Sequence, residues 1–527
     1  MTDYATSRDA AYAGRIQTAI EDFASQFELN AYSSVQRRTI FLFPGGIGSQ
    51  LMRAYQAYPN PAQSFEKAWL DAGVWVDVPH LAMLPVGVDT EQKYVVPDGC
   101  VNLPGPDFFH AYEVFIQWCR RNSIDLFVFG WDWRRSVQDA ADFFLNVFLP
   151  MFDARFSGKT PHPLDYFAFL GHSAGGMVVK AMLNSTANQY VQRAKKAITV
   201  ATPFYGYGEQ IRRFLKGDPN LLWAGFPRSV SATIVSSLPG GYEYPYLDYP
   251  TYLANQAAFA SDPEGYHLSA YPSMDQDKAT EVADPYDPQP GADGRVRYPL
   301  LYGFESGLLY RGNVTARNIS SPLTDTTIRA KFYNIRGVKT QNGQPVNSTA
   351  VGVSWARVSP LFSADFDADP IQDRMGPGDG TQPAWTTRLL GLPPGQTITI
   401  TGDDVKHANM LDLDGVRARI AELIGLDASA LDFDDDVPGL EELAASLEDF
   451  IAFGEGLAKF TSGRDLMPEQ RSALRYEYLR KFKPAQLQAL LARFYLESVN
   501  HPGKARTPSK DGKHEPTASD RARGDKK

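Results

Sequence analysis

The chain has 527 residues, 43% of them hydrophobic and 21% charged, with a net charge of -9. That length suits a large buried core and allows two to four domains, or one domain with long insertions. No long basic block precedes the C-terminal tail, which excludes an electrostatic footprint for nucleic acid, and two cysteines, Cys100 and Cys119, exclude a disulfide framework and lack metal-ligand spacing.

The first residues, Met1-Thr2-Asp3-Tyr4-Ala5, have no basic region followed by an apolar core, and no later run approaches the length of a membrane span. A soluble, cytoplasmic protein is expected. The sequons at Asn184, Asn313, Asn318 and Asn347 read as incidental without a secretory signal. Residues 8–28 carry Tyr12, Ile16, Ala19, Ile20, Phe23 and Phe27 at helical spacing, predicting an amphipathic helix. Its polar face is not basic, so packing on the core is favoured over a membrane surface.

Thr39-Ile40-Phe41-Leu42-Phe43 is an apolar strand that runs into Pro44-Gly45-Gly46-Ile47-Gly48-Ser49. As a phosphate loop this turn lacks the lysine that would meet phosphates. As an oxyanion loop it fits, because small residues let a backbone amide approach a reacting carbonyl. A helix over 110–122 leads to a strand at 125–129, which ends in Gly130-Trp131-Asp132-Trp133-Arg134-Arg135. A helix over 136–152 then leads to the stretch Asp165 to Lys180. There an apolar strand meets Gly171-His172-Ser173-Ala174-Gly175-Gly176, and helical character follows to Leu183. Another strand, Ala197 to Ala201, comes next. Strands alternating with helices argue for an α/β fold: a mostly parallel sheet with helices on both faces.

From 205 to 328 the chain is rich in Tyr, Pro and Gly without clean periodicity, which predicts an inserted cap or lid whose aromatics pack together or line an apolar groove. A strand at 330–338, a hairpin around 350–358, an acidic loop at 364–380, a strand at 397–401 and a helix over 412–425 follow. These readings divide the chain into an N-terminal helical segment (1–36), a core in two parts (37–204 and 329–426) around the cap (205–328), a C-terminal helical extension (427–499) and a disordered tail (500–527).

Gly-x-Ser-x-Gly between a strand and a helix is a setting for a nucleophilic serine. Glycines two before and two after Ser173 let the chain turn sharply, and the helix that follows points its amide end at a developing oxyanion; Ala174 would supply one donor. A serine hydroxyl needs a base, and the base needs an orienting carboxylate, in the chain order serine, acid, histidine. His80, His110, His162 and His172 precede the serine, His501 and His514 lie in the tail, and His267 lies in the insertion. His407, just past a strand end, is left as the base. Among Asp365, Asp367, Asp369, Asp373 and Asp379, the last is bracketed by turn-forming Gly378 and Gly380 and is the first choice of acid; Asp403 and Asp404 remain second candidates. Calcium binding by the acidic loop is a lesser reading, because its spacing is not that of an EF-hand.

Taken in order, Pro44 to Leu51, Trp131-Asp132-Trp133-Arg134, Gly171 to Gly176, Gly378-Asp379-Gly380-Thr381 and His407-Ala408-Asn409-Met410 resemble the motifs of the lecithin:cholesterol acyltransferase family, over about residues 38–425. The resemblance implies an α/β-hydrolase fold with a cap. It implies Ser173, Asp379 and His407 as the triad, Gly46 and Ala174 as oxyanion donors, and Trp131, Asp132 and Trp133 near the substrate, against the plainer reading of a packed aromatic corner. The secreted members' signal sequence and lid disulfide are not apparent here. The expected function is that of a serine hydrolase or acyltransferase on lipid or other carboxylic esters, including esters at a membrane surface, with no cofactor and no metal. The alternative is a non-catalytic scaffold on the same fold.

Overall fold

In a computed structural model of the chain, the described residues are 2–29, 37–55, 65–69, 93–101, 111–208, 210, 213–214, 235–275, 284, 286, 306–355 and 371–433. The chain forms two compact units, Met1–Pro219 with Arg228–Ala444, and Asn220–Pro227 with Ala445–Lys527. The second unit, which holds most of the expected helical extension and all of the expected tail, lies outside the described residues.

The first unit is α/β. It opens with α1 (Thr2–Leu29), β1 (Thr39–Phe43), β2 (Ser49–Tyr55), β3 (Phe65–Trp69), β4 (Lys93–Cys100), α2 (Glu113–Arg121) and β5 (Asp125–Val128). Next come α3 (Val137–Phe143), a π turn (Phe144–Phe148), α4 (Leu149–Arg155), β6 (Phe167–His172), α5 (Ala174–Asn184), α6 (Gln189–Arg193) and β7 (Lys196–Val200). It continues with α7 (Tyr249–Ala260), β8 (Ser273–Asp275), α8 (Ser306–Ser320), α9 (Thr326–Lys331), β9 (Phe332–Gln341), β10 (Gln344–Pro345), β11 (Thr349–Trp355), β12 (Ile371–Gly376), β13 (Thr397–Gly402) and α10 (Asp414–Leu423).

Strands β5, β1, β6, β7, β9 and β13 pair in that order, all parallel, and β10 folds back antiparallel on β9. The order reverses between β1 and β6, so the carboxyl ends of these two strands open a crevice where ligands bind in open parallel sheets. The two faces follow from the period-two alternation of the strands. Ile40, Leu42, Ala168, Leu170, Ile198 and Val200 join a core with Phe115 and Trp118 of α2 and Val416 and Ile420 of α10. The alternate side chains are phenylalanines: Phe41 packs against Phe127, Phe144, Phe148, Phe152, Phe167 and Phe169. Burying each such ring stabilises the fold by roughly 1.5–3 kcal/mol. Helix α1 closes this second face, with Phe23 against Phe127, Phe152 and Phe156.

Several expectations need correction. The helix predicted over 136–152 reaches Arg155 through the π turn, which precedes Pro150; proline has no N–H to donate and its ring crowds a regular α-helical turn. The strand expected from 330 begins at Phe332, because Asp325 caps α9 by accepting from the Thr327 and Ile328 amides. Of the hairpin expected around 350–358, residues 356–358 lie outside the described residues, and 350–355 belong to β11, one strand of a separate sheet, antiparallel to β12 and parallel to β8. The tight hairpin is the Asn342–Gly343 turn between β9 and β10, where both residues have positive φ. Residues 371–376 of the expected acidic loop are β12, and Asp365, Asp367 and Asp369 lie outside the described residues. The stretch 205–328 read as irregular contains α7, started by the Asp248 side chain and Pro250, and α8. Among the described residues no helix is long and apolar enough to cross a membrane.

Candidate active site

Ser173 sits between β6 and α5 with φ 54° and ψ -128°, a strained conformation for a residue with a side chain. Its amide donates to Val200 O at 2.8 Å, which fixes the turn against β7. The glycines around it have no alternative. A Cβ on Gly171 would stand 2.5 Å from Gly175 O, one on Gly175 would stand 2.0 Å from Phe43 O, and one on Gly176 would stand 1.8 Å from Thr202 Oγ1. Close approach of β1, the turn and the Thr202 loop therefore requires hydrogen at all three positions, and it leaves the serine hydroxyl projecting over the crevice.

His407 begins a short 3-10 turn after β13. Its Nε2 lies 2.8 Å from Ser173 Oγ and its Nδ1 lies 2.8 Å from Asp379 Oδ2. Its own amide donates to Asp379 O at 2.8 Å, so backbone as well as side chain ties the two loops together. Asp379 is buried, and its Oδ1 accepts from the Thr381 and Gln382 amides at 3.0 and 2.6 Å, leaving Oδ2 for the imidazole. The turn is anchored to β9 where the Lys339 amide donates to Gly378 O at 2.8 Å. With Nδ1–H donating to the carboxylate, Nε2 faces the serine hydroxyl as an acceptor. The second candidates are elsewhere: Asp403 accepts from Thr340 Oγ1 at 2.6 Å and from the Asn342 amide at 3.3 Å, which holds the β9–β10 hairpin.

The Pro44–Ser49 loop crosses directly above the serine, since a Cβ on Gly45 would stand 3.0 Å from Ser173 Cβ. Gly46 and Ala174 are neighbours across it: a Cβ on Gly46 would stand 3.5 Å from Ala174 Cβ. Of Trp131, Asp132 and Trp133, expected near the substrate, the two indoles back this loop. Trp131 is fully buried, its indole N–H donating to Pro44 O at 2.7 Å, while Trp133 Nε1 donates to Ser49 O at 3.2 Å. Asp132 accepts from Arg134 Nε and Nη2, each at 2.8 Å. The two indoles thus hold the loop from behind, while the carboxylate of Asp132 pairs with Arg134.

Two residues escaped the sequence reading. Tyr112, at the start of α2, accepts from the Gly45 amide at 2.6 Å and meets His172 Nδ1 at 3.0 Å; His172 Nε2 meets His407 O at 2.9 Å. A carbonyl only accepts, so Nε2 of His172 carries the proton and its Nδ1 takes the Tyr112 hydroxyl proton. One chain of bonds thus runs from the glycine loop through Tyr112 and His172 to the backbone of His407. Burial, reinforced by neighbouring His407, lowers the His172 pKa to about 3, which keeps that ring neutral and the chain intact. The histidine beside the serine was visible, but bonds between residues far apart in sequence were not.

Among the described residues no group of three His, Cys, Asp or Glu could hold a metal ion. No protein-family model matches the chain. No curated protein matches it either. Among solved structures, it is similar to a chain in the crystal structure of the Tle4–Tli4 complex, with TM-score 0.41, 14% identity, and coverage of 74% of this chain and 98% of that one. It is also similar to the peroxisomal α/β-hydrolase Lpx1 from Saccharomyces cerevisiae, with TM-score 0.22, 11% identity, and coverage of 82% and 87%. At these scores neither likeness carries an argument about chemistry, which rests on the site's own geometry.

Proposed function

We propose that the chain is a serine hydrolase or acyltransferase acting on lipid or other carboxylic esters, with Ser173 as nucleophile, His407 as base and Asp379 as the carboxylate that orients the imidazole. The observation that carries this reading is His407, which holds one ring nitrogen 2.8 Å from the serine hydroxyl and the other 2.8 Å from a buried carboxylate. The strained serine and the motif order that resembles the lecithin:cholesterol acyltransferase family lend further support.

In the reaction, Ser173 Oγ attacks the ester carbonyl as its proton passes to His407 Nε2, and Asp379 stabilises the imidazolium. The carbonyl oxygen becomes an oxyanion held by the Gly46 and Ala174 amides, neither of which has an acceptor among the described residues. The C–O bond breaks, the imidazolium protonates the departing alcohol, and an acyl-serine remains. Water then yields the acid, whereas a second alcohol yields a new ester; in either case His407 removes the proton of the attacking group and returns it to Ser173.

A fluorophosphonate probe on the full chain tests the assignment. Wild type is labelled and Ser173→Ala is not; labelling that persists in the variant refutes the reading. Labelled phospholipids and short-chain esters, incubated with and without an alcohol and followed by product separation, distinguish hydrolysis from transfer. A p-nitrophenyl ester series without turnover at any chain length would favour a scaffold.

A further inference from the structure

Two tyrosine hydroxyls stand beside the Gly45–Gly46 loop, and their situations differ. Tyr112 Oη accepts from the Gly45 amide and reaches His172. Tyr244 Oη is buried and has no hydrogen-bond partner among the described residues. A hydroxyl stripped of water without a replacement partner is unfavourable, and folded proteins leave few such groups without reason.

Its placement suggests the reason. Tyr244 follows the 3-10 turn Pro239–Glu243, which is fixed where the Gly240 amide donates to Arg134 O at 3.0 Å and Gly241 O accepts from Gln210 Nε2 at 2.9 Å. The Tyr244 carbonyl accepts from the Tyr207 amide at 2.9 Å, so the backbone beneath the ring is held as well. The hydroxyl ends 3.7 Å from the point that a Cβ on Gly46 would occupy, and Ala174 Cβ lies 3.5 Å from the same point. The space left clear by the missing side chain of Gly46 is therefore bordered by Ala174 Cβ and by an O–H with no partner among the described residues. Burial, with Glu243 adding to it, raises the phenol well above its ordinary pKa of 10, so the group stays a donor at every working pH.

We infer that Tyr244 Oη is a third oxyanion donor, giving its hydrogen bond to the substrate carbonyl oxygen as that oxygen gains negative charge over Gly46. The inference rests on the acyl-transfer reading above. It also makes the stretch expected to be a cap a contributor to the chemistry.

The test is Tyr244→Phe in the full chain, which keeps the ring and removes one oxygen. Turnover of a p-nitrophenyl ester falls about 10- to 100-fold in kcat with KM within about threefold, because the bond strengthens only as charge develops. Affinity for a phenylboronic acid, whose adduct on serine is tetrahedral and anionic, falls by a similar factor. The thermal midpoint stays the same or rises, because no partner is lost. Unchanged kcat and boronate affinity overturn the inference, as does a lowered midpoint, which would reveal a structural bond. Gly46→Ala is a second variant: among the described residues its Cβ meets only ordinary contacts at 3.5 and 3.7 Å, so the chain folds, but the space is filled and kcat/KM drops by more than about tenfold. Undiminished catalysis there would place the substrate oxygen elsewhere and also overturn the inference. Fluorophosphonate labelling separates the two levels. If wild type is labelled at Ser173 and active while Tyr244→Phe equals it, only the third donor fails; if wild type is neither labelled nor active, both readings fail.

Discussion

Replacing Tyr112 with Phe should unfasten the glycine loop from the histidine pair. The hydroxyl lost is the acceptor for the Gly45 amide at 2.6 Å and the donor to His172 Nδ1 at 3.0 Å, and both bonds are buried. Each group left without a partner costs about 1–3 kcal/mol, less the desolvation that the missing hydroxyl no longer incurs, so the loss is about 2–4 kcal/mol. Against a typical total of about 5–15 kcal/mol, that is a large fraction. Urea titration followed by tryptophan emission measures it, with Tyr244→Phe as the matched control that removes a hydroxyl without a partner and shows no loss. A double-mutant cycle with His172→Asn should return a coupling of about 1–2 kcal/mol. Turnover should also fall about tenfold, because Gly46 follows the freed amide directly and a small displacement of a donor is costly. A stability loss below about 0.5 kcal/mol, or a cycle that is additive, would refute the reasoning that these groups form one connected chain.

Other perturbations follow from the same geometry. Gly176→Ala should destabilise by about 1–3 kcal/mol despite the better helix propensity of alanine, since its Cβ would fall 1.8 Å from Thr202 Oγ1, and Thr202→Ala should recover part of the loss; a thermal midpoint equal to wild type counts against the close approach. His172 is held at about 3 when folded and returns to about 6.5 when unfolded, so the unfolded chain binds the extra proton between those values. Stability should accordingly decline as pH falls from about 6.5 toward 3, and His172→Asn should flatten that part of a urea-midpoint profile. Lys180 on α5 is buried, and burial lowers it to about 7 from an ordinary 10.5. Here the unfolded chain binds more protons between pH 7 and 10.5, so the lysine makes stability rise with pH across that window. Lys180→Met should abolish the rise and leave the chain at least as stable as wild type near pH 6; a variant that keeps the rise would contradict the assignment.

The sequence was most legible where one residue type answers one geometric demand. Gly171 and Gly175 announce a turn that no side chain could enter, and Phe41 alternates with Ile40 and Leu42 because a strand has two faces. His407 emerged by elimination, since chain order removed four histidines and placement in the tail or the insertion removed the other three; the structure leaves His267 exposed in its loop. What stayed hidden depends on distant partners. Nothing near Tyr112 in the chain indicates Gly45 or His172, and nothing near Tyr244 indicates Gly46. The hairpin at Asn342–Gly343 is legible in the Asn-Gly pair, a strong turn signal, whereas the apolar run at 350–355 pairs with β8 and β12. Trp131 to Trp133 came near the substrate only through the family resemblance; their sequence does not show that the indole N–H groups of Trp131 and Trp133 hold the carbonyls of Pro44 and Ser49.

Helix α1 bears on how fragments of this protein should be cut. Tyr12 Oη donates to Gly130 O at 2.9 Å, and the next residue, Trp131, carries the indole that grips Pro44. Phe23 and Phe27 roof the phenylalanine face, and Arg37 lies across the Phe27 ring at 3.5 Å. A shortened expression clone starting at β1 would bare a contiguous aromatic patch and leave Gly130 unhooked, so it should purify as aggregate and bind hydrophobic dyes, whereas adding residues 2–36 back as a separate peptide offers a route to restoring it.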